Sequence, residues 1–313
     1  MPVAYKQARA SGIRGQEKKV KRDLYKEVTD QIVAALEQGT APWTKPWNSG
    51  LGLPENATTG RAYRGINVLL LGISAAANKY PTDQWLTFKQ ALAAGVPVRK
   101  GEKATRIYFF KPLELKAKDE DRDDHNVTSD PRVIPLLREY YVFNVAQLSG
   151  PLPNAKAVEV REFAGDELLD EFLGATGAQI SHGGDVACYI PSADAIRLPV
   201  REAFKSAPDY YATAVHELTH WTGHETRCKR DLSGAFGSSK YAFEELVAEM
   251  GSAFLCAEFG ITARLQHASY IANWIKVLQN DKRAVFRASS SAQKAADFTR
   301  NLVAAAAGEE KAA

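Results

Sequence analysis

The sequence predicts an α+β protein with two domains, the first of mixed structure and the second mainly helical. Apolar residues recur at helical spacing over residues 20–36 and again over 243–254. Residues 105–110 and 133–145, in contrast, have the aromatic and β-branched composition of strands. The length of 313 residues is sufficient for two domains, and the Pro- and Gly-containing segment 149–153 is the predicted boundary.

The first domain is predicted to span residues 20–150, after a polar, basic arm at residues 1–19 that we expect to be disordered. Its first helix should stop at Gly39 and Pro42. The elements expected in chain order are a helix over 20–36, helices over 67–79 and 82–94, a strand over 105–110, a charged loop over 114–130 and a strand over 133–145 that returns to the same sheet.

The second domain is predicted to span residues 151–303 and to contain two well-marked helices. The first is capped by Ser206 and should end near Gly223. The second is capped by Ser238 or Ser239 and should end before Gly260. The alanine-rich tail at 304–313 is expected to be disordered.

Composition argues against membrane-spanning and disulfide-rich proteins. The most apolar run, residues 67–77, is too short to span a bilayer, and the N-terminus has no apolar secretion signal. Cys188, Cys228 and Cys256 are odd in number and form no C-x-x-C pair, which argues against both a disulfide framework and a cysteine zinc site. We therefore expect a cytoplasmic protein with reduced thiols and no membrane partner.

Charge divides the chain into a basic and an acidic part. Residues 1–112 carry 18 Lys and Arg against 8 Asp and Glu, whereas residues 113–313 carry 22 against 29. A basic part indicates a polyanionic partner, although charge runs are also typical of solvated surfaces.

Aromatic residues alternate with cations in the basic part. Trp43 and Trp47 lie on either side of Lys45, between prolines that favour an extended backbone. Single-stranded nucleic acids bind such mixtures, because cations follow the phosphates and rings stack on bases. The same mixture predicts further contacts at Arg61, Tyr63, Arg64, Arg99, Lys100, Lys103, Arg106 and Tyr108. The alternative is that the tryptophans anchor a buried loop and the strand aromatics belong to the core.

A metal-binding pattern, H-E-x-x-H, lies on the first helix of the acidic part. His216 and His220 are one turn apart on one helical face, and Glu217 is placed to take a proton from water activated by the ion. The alternative is an amphipathic helix whose histidines are structural. Tyr241 and His224 are candidates for stabilising an oxyanion, although for each of them a structural role is the better explanation.

A third metal ligand is predicted on the following helix. His224 lies eight residues beyond His216, about 12 Å along a helix, and Thr226 occupies the position where the longer H-E-x-x-H-x-x-G-x-x-H motif has its third histidine. Glu245 and Glu249 share a face with small residues, where unpaired charge would be costly. We assign Glu245 as the ligand and Glu249 as an acceptor that orients a ligand histidine, with the reverse assignment open.

These segments together resemble the ArdC family of antirestriction proteins, which conjugative plasmids and related mobile elements carry. The resemblance covers nearly the whole chain. It rests on residues 42–47, 59–67 and 99–103 in the first domain and on residues 216–224, 230–232 and 244–249 in the second.

The resemblance implies an N-terminal domain that binds single-stranded DNA and a zincin-like metallopeptidase domain with a small sheet and one Zn²⁺ or other divalent ion. It implies a protein that shields incoming DNA from host restriction enzymes. Two alternatives stay open. One is a DNA-dependent protease whose substrates are restriction enzymes or other DNA-bound proteins, and the other is a DNA-binding protector whose metal site is only structural.

Overall fold

The computed structural model describes residues 22–38, 41, 43, 52–115, 132–153, 163–262 and 268–310. Within these residues the chain contains both helices and small sheets, which confirms the predicted α+β class. The helices are α1 (Leu24–Glu37), α2 (Ile66–Asn78), α3 (Phe88–Ala93), α4 (Asp166–Ala175), α5 (Ala207–Trp221), α6 (Ser239–Phe259), α7 (Ala268–Asn280) and α8 (Ala284–Glu310). The strands are β1 (Glu55–Asn56), β2 (Gln84–Leu86), β3 (Thr105–Leu115), β4 (Arg132–Asn144), β5 (Gln179–His182), β6 (Cys188–Ile190) and β7 (Ala195–Leu198).

A four-stranded sheet in the order β1-β2-β4-β3 organises the N-terminal part. Strands β3 and β4 form a long antiparallel hairpin in which Thr105 pairs with Val142. Helix α2 packs on β3, and the side chain of Asn67 both accepts a hydrogen bond from the backbone N–H of Tyr108 and donates one to its carbonyl. The segment that was expected to return to the first sheet is therefore its strand β4.

Residues 82–94, which the sequence predicts as one helix, form a strand followed by a short helix. Strand β2 pairs in parallel with β1 and antiparallel with β4, and it buries Trp85 and Leu86 completely. Thr87 then caps α3, and Gln90 completes a capping box. Pro81 and Gly95, which flank the segment, indicated its ends but not its conformation, because burial of large side chains against neighbouring strands decides the local structure here.

The C-terminal part combines a three-stranded sheet with the longest helices. The strand order is β5-β7-β6, with β5 parallel and β6 antiparallel to β7. Helix α5 packs against β6, β7 and α6, and α8 packs along α6. Ser238 caps α6, and Gly260 ends it in the left-handed conformation with φ of 65°.

One hydrophobic core joins the N-terminal and C-terminal parts. Helix α1 packs against α7, and α2 contacts α8. The rings of Trp43 and Trp274 meet edge to face with centroids 5.3 Å apart. Residues on both sides of the predicted boundary at 149–153 therefore belong to the same core.

The end of the chain differs from the prediction of a disordered tail. Helix α8 continues to Glu310, because its last turns are rich in alanine, the residue with the highest helix propensity. Strand β3 likewise extends to Leu115, whereas the predicted arm at 1–19 and most of the predicted loop at 114–130 lie outside the described residues. None of the helices in the described ranges is both long and apolar enough to cross a bilayer.

Candidate metal centre and nucleic-acid interface

Helix α5 presents the two motif histidines to α6. Ser206 caps the helix by accepting a hydrogen bond from the backbone N–H of Asp209, and Pro208 lies in the first turn. The rings of His216 and His220 follow one turn apart, with centroids separated by 4.9 Å. His216 is buried and His220 is partly buried, so both lie at the floor of a cleft rather than on the surface.

Glu245 on α6 completes a cluster of three donor groups. Its Oε2 lies 3.7 Å from Nε2 of His216, and its Oε1 lies 3.5 Å from Nε2 of His220. Tetrahedral ligands bound at about 2.0–2.1 Å to one cation lie about 3.3 Å from one another. These separations are long for hydrogen bonds and close to those of ligands that share an ion, so the donor set fits a divalent cation.

Two further carboxylates on α6 face the opposite nitrogens of the same rings. Glu249 Oε1 lies 3.6 Å from Nδ1 of His216, and Glu244 Oε1 lies 3.1 Å from Nδ1 of His220. A carboxylate in this position fixes the ring orientation and the tautomer that leaves Nε2 available for a metal ion. Glu245 therefore lies between the two rings and Glu249 beside His216, and the assignment of Glu245 as ligand and Glu249 as orienting acceptor stays a prediction.

Sequence reasoning missed Glu244 and the arginine that holds it. Arg230, in the segment between α5 and α6, donates to both oxygens of Glu244 at 2.8 and 2.9 Å. Its guanidinium also donates to the Thr219 carbonyl and to the Thr222 hydroxyl, which ties the carboxylate to the end of α5. The sequence feature that could have identified Glu244 is its position directly before Glu245. No sequence pattern, in contrast, places Arg230 beside Glu244.

The electrostatics of the centre follow from these contacts. Burial lowers the pKa of His220, but the contacts with Glu244 and Glu245 outweigh burial and raise that pKa to about 10. Burial raises the pKa of Glu245, and the contacts with His216 and His220 more than reverse the effect, so the pKa lies well below its usual value. The pKa of Glu244 is lowered in the same way by His220 and Arg230. The centre thus holds ionised carboxylates around the two rings.

Glu217 lines a cavity of about 460 Å³, together with the three donor residues. The cavity is also lined by Cys188 and Tyr189 of strand β6. In the part of the chain that the structure describes, β6 pairs only with β7 and so forms an edge of the small sheet. The cavity therefore combines a carboxylate next to the donor cluster with a strand edge at its wall.

Tyr241 and His224, the two candidates for stabilising an oxyanion, differ in position. The Tyr241 hydroxyl lies 3.3 Å from that of Tyr270, and both side chains line the cavity. Burial, the contact with Tyr270 and the charge of Glu245 all raise the pKa of Tyr241, so its hydroxyl remains protonated. His224 does not line the cavity, and its Nδ1 lies 2.9 Å from the Thr226 hydroxyl.

Close approach of α5 and α6 depends on a glycine. A Cβ atom at Gly251 would lie 2.6 Å from Cγ2 of Thr219. Such a distance is far shorter than van der Waals contact, so only glycine permits this separation of the helices. The separation in turn brings His216 and His220 within reach of Glu245.

The aromatic residues predicted to contact nucleic acid are buried where the structure describes them. Trp43 is 0% exposed, and Tyr63 and Tyr108 also belong to the hydrophobic core. A ring with no accessible face cannot stack on a base, so the core alternative fits these three positions. Lys45 and Trp47 lie outside the described residues.

The predicted cations, in contrast, lie on the surface. Arg61, Lys100 and Lys103 are exposed. The remaining three are exposed and form ion pairs, namely Arg64 with Asp297, Arg99 with Glu102 and Arg106 with Glu27. Exposed ion pairs are weak, so these arginines remain able to exchange their partner for a phosphate.

Two family models match the chain. Residues 22–143 match a model described as the N-terminal domain of anti-restriction factor ArdC, and residues 167–291 match one described as a zincin-like metallopeptidase. The second range includes the whole donor cluster.

Two relatives differ in how much of their length is matched. The uncharacterized protein y4eC of Sinorhizobium fredii is 39% identical over 281 residues, which is 88% of this chain and 91% of that protein. DNA primase TraC of Escherichia coli is 42% identical over 293 residues, or 89% of this chain, but the match is only 27% of TraC. The chain therefore spans a minor part of that primase.

Solved structures of an antirestriction protein share the fold. The metal-free crystal structure of ArdC from plasmid R388 has a TM-score of 0.77 and 41% identity, and the match covers 90% of this chain and 98% of that chain. The Mn(II)-bound crystal structure of the same protein has a TM-score of 0.75 and 39% identity, with 90% and 99% covered.

Proposed function

The chain belongs to the ArdC family of antirestriction proteins, and we propose that it binds single-stranded DNA and carries a metal-dependent peptidase centre. In this proposal the protein protects incoming plasmid DNA from host restriction enzymes. The N-terminal part meets the DNA, and the C-terminal part acts on a protein close to it.

The observation that carries the peptidase proposal is the convergence of His216, His220 and Glu245 in a cavity that Glu217 also lines. Three protein ligands leave a position open on a four-coordinate ion, as in catalytic rather than structural zinc sites. A divalent cation bound there would polarise a carbonyl and lower the pKa of water at the open position. We propose Zn²⁺ as the native ion, with another divalent ion able to replace it.

The protein side chains have separate tasks in this proposal. Glu217 accepts the proton of the attacking water and delivers it to the leaving nitrogen. Glu249 and Glu244 hold the imidazoles of His216 and His220 in the orientation for binding. Tyr241, which remains protonated at the cavity wall, donates a hydrogen bond to the carbonyl oxygen as negative charge develops.

An extended peptide fits the cavity as a substrate. The edge of β6 beside the donor cluster offers backbone N–H and C=O groups, to which an unfolded segment can add as a further strand. Recognition through the backbone implies limited dependence on the substrate sequence. A protein segment that is locally unfolded on DNA would satisfy this requirement.

Charge supports the DNA-binding proposal. The basic excess of residues 1–112 provides a long-range attraction for a polyanion. Exposed Arg61, Lys100 and Lys103 supply contacts for phosphates. We expect salt-sensitive binding that favours single strands over duplex DNA.

The test compares the wild type, Glu217→Ala and Glu225→Ala in a restriction-protection assay and in an assay for cleavage of a DNA-bound protein, with metal content measured on each protein. Glu225 is an exposed glutamate close in sequence to the motif and serves as the control. We expect loss of proteolysis in Glu217→Ala only, with stoichiometric metal retained in all three proteins.

The outcomes separate the remaining possibilities. Full protection by Glu217→Ala would make the metal centre structural, and DNA-stimulated proteolysis without any protection would favour a DNA-dependent protease. Wild-type protein without stoichiometric metal, together with Glu217→Gln that equals wild type in every assay, would refute the catalytic proposal.

A further inference from the structure

One face of the β3–β4 hairpin carries large side chains that the core does not cover. Phe109 is 47% exposed and Tyr140 is 42% exposed, and their rings meet edge to face with centroids 5.4 Å apart. Leu136, further along the same face, is 40% exposed. Aromatic pairs of this size are normally buried, so their exposure indicates a surface that another molecule covers.

Register places two cations among these side chains. Arg138 lies directly opposite Phe109, and Lys111 lies opposite Leu136. Side chains two residues apart on a strand, and those directly opposite across the ladder, point to the same side of the sheet. Phe109, Lys111, Leu136, Arg138 and Tyr140 therefore form one continuous surface, which we call the hairpin face.

The cations of the hairpin face are exposed and take no part in an ion pair with any residue that the structure describes. The opposite side of the hairpin differs in this respect. There Arg106 pairs with Glu27, and the rings of Tyr108 and Phe110 lie 6.3 and 6.5 Å from Phe286 of α8. Of the two sides of this hairpin, as far as the structure describes them, the hairpin face is the one that combines exposed rings with cations that form no ion pair.

We propose that the hairpin face is the surface on which single-stranded DNA stacks its bases. Phe109 and Tyr140 provide the aromatic platform, while Arg138 and Lys111 meet the phosphates on either side of the stacked bases. The inference rests on the proposed DNA-binding function and assigns it to residues on β3 and β4. It also explains why Tyr108 is unsuitable for stacking on a base. Tyr108 is adjacent to Phe109 on β3 and therefore points to the other side of the sheet.

The experiment measures binding of the full-length protein to a fluorescent 30-nucleotide oligo(dT) by anisotropy over a series of salt concentrations. The variants are Phe109→Ala, Tyr140→Ala and Phe109→Tyr. The controls are Phe110→Ala and Tyr141→Ala, which remove rings of similar exposure, 51% and 48%, from the opposite side of the same hairpin. Because all four rings are exposed, the fold is expected to survive, and circular dichroism checks this.

We expect Phe109→Ala and Tyr140→Ala each to raise Kd about tenfold or more, while Phe109→Tyr binds normally. The controls should stay within about twofold of the wild type. Arg138→Gln and Lys111→Gln should each reduce the slope of log K against log salt by about 0.7, the value for one phosphate contact on a single strand.

Three results would overturn the inference. Normal binding by Phe109→Ala and Tyr140→Ala would place the DNA elsewhere, while the proposed function remained valid. Wild-type protein that fails to bind the oligonucleotide would refute the proposed function together with the inference. A wild-type dimer that dissociates on Phe109→Ala, with DNA binding unchanged, would assign the hairpin face to a second copy of the chain.

Discussion

Replacement of Arg230 by methionine tests whether the support of the metal centre is a buried ion pair. The side chains of Arg230 and Glu244 are 8% and 9% exposed. Arg230→Met would leave the Glu244 carboxylate buried with His220 as its remaining charged partner, and the Thr219 carbonyl and the Thr222 hydroxyl would each lose a donor. Removal of one partner from a buried pair costs about 3–5 kcal/mol, so we expect the free energy of unfolding to fall by that amount.

The measurement is equilibrium urea unfolding in the presence of a chelator, so that metal binding does not contribute. Arg300→Met is the matched control, because Arg300 and Glu258 form an ion pair whose side chains are 28% and 31% exposed. We expect that control to cost less than about 1 kcal/mol.

The double variant Arg230→Met, Glu244→Met completes a cycle with the two single variants. Since it leaves no unpaired buried charge, we expect it to cost less than the sum of the single variants by about 1–3 kcal/mol. Two results would contradict the assignment of a buried pair that supports the metal centre. One is a loss of unfolding free energy below about 1 kcal/mol in Arg230→Met, and the other is a loss in the double variant that equals the sum of the two single variants.

Three further predictions address the ligands, the helix packing and the core. Glu245→Gln should abolish stoichiometric metal binding, measured by elemental analysis, because an amide is a much weaker ligand than a carboxylate; retained metal would contradict its role. Gly251→Ala should destabilise the protein by about 1–3 kcal/mol through the clash with Thr219, whereas Gly308→Ala, where an added Cβ meets nothing within 4 Å, should have no such cost; equal urea midpoints would refute the packing argument. Trp43→Ala should cost about 3–5 kcal/mol of unfolding free energy because the ring is fully buried, and a loss below 1 kcal/mol would contradict its place in the core.

Local patterns were informative about the metal centre because helical geometry is regular. An i, i+4 spacing places His216 and His220 on one side of α5 wherever the helix lies, and the small residues around Glu245 indicate a packed face of α6. The partnership of Arg230 with Glu244 depends on how the segment between the helices folds back, which no periodicity encodes.

Composition predicted the basic character of the N-terminal part but not which rings are exposed. Trp43 reaches the core because α7 supplies Trp274 as its partner from a distant part of the sequence. The alternation of side chains along β3 places exposed Phe109 and buried Tyr108 on opposite sides of the sheet. Which side is exposed becomes known only with the sheet and the helices that cover it. The strand at Gln84–Leu86 was missed for the same reason, since its partners lie on β1 and β4.

The core shared by the N-terminal and C-terminal parts couples the stability of one part to that of the other. Because α1 packs on α7 and α2 on α8, neither part can unfold without exposing apolar surface of the other. A ligand that binds only the folded state stabilises everything that unfolds with its site. An ion bound by His216, His220 and Glu245 would therefore also protect the distant β3–β4 hairpin against unfolding and proteolysis, although it touches no residue there.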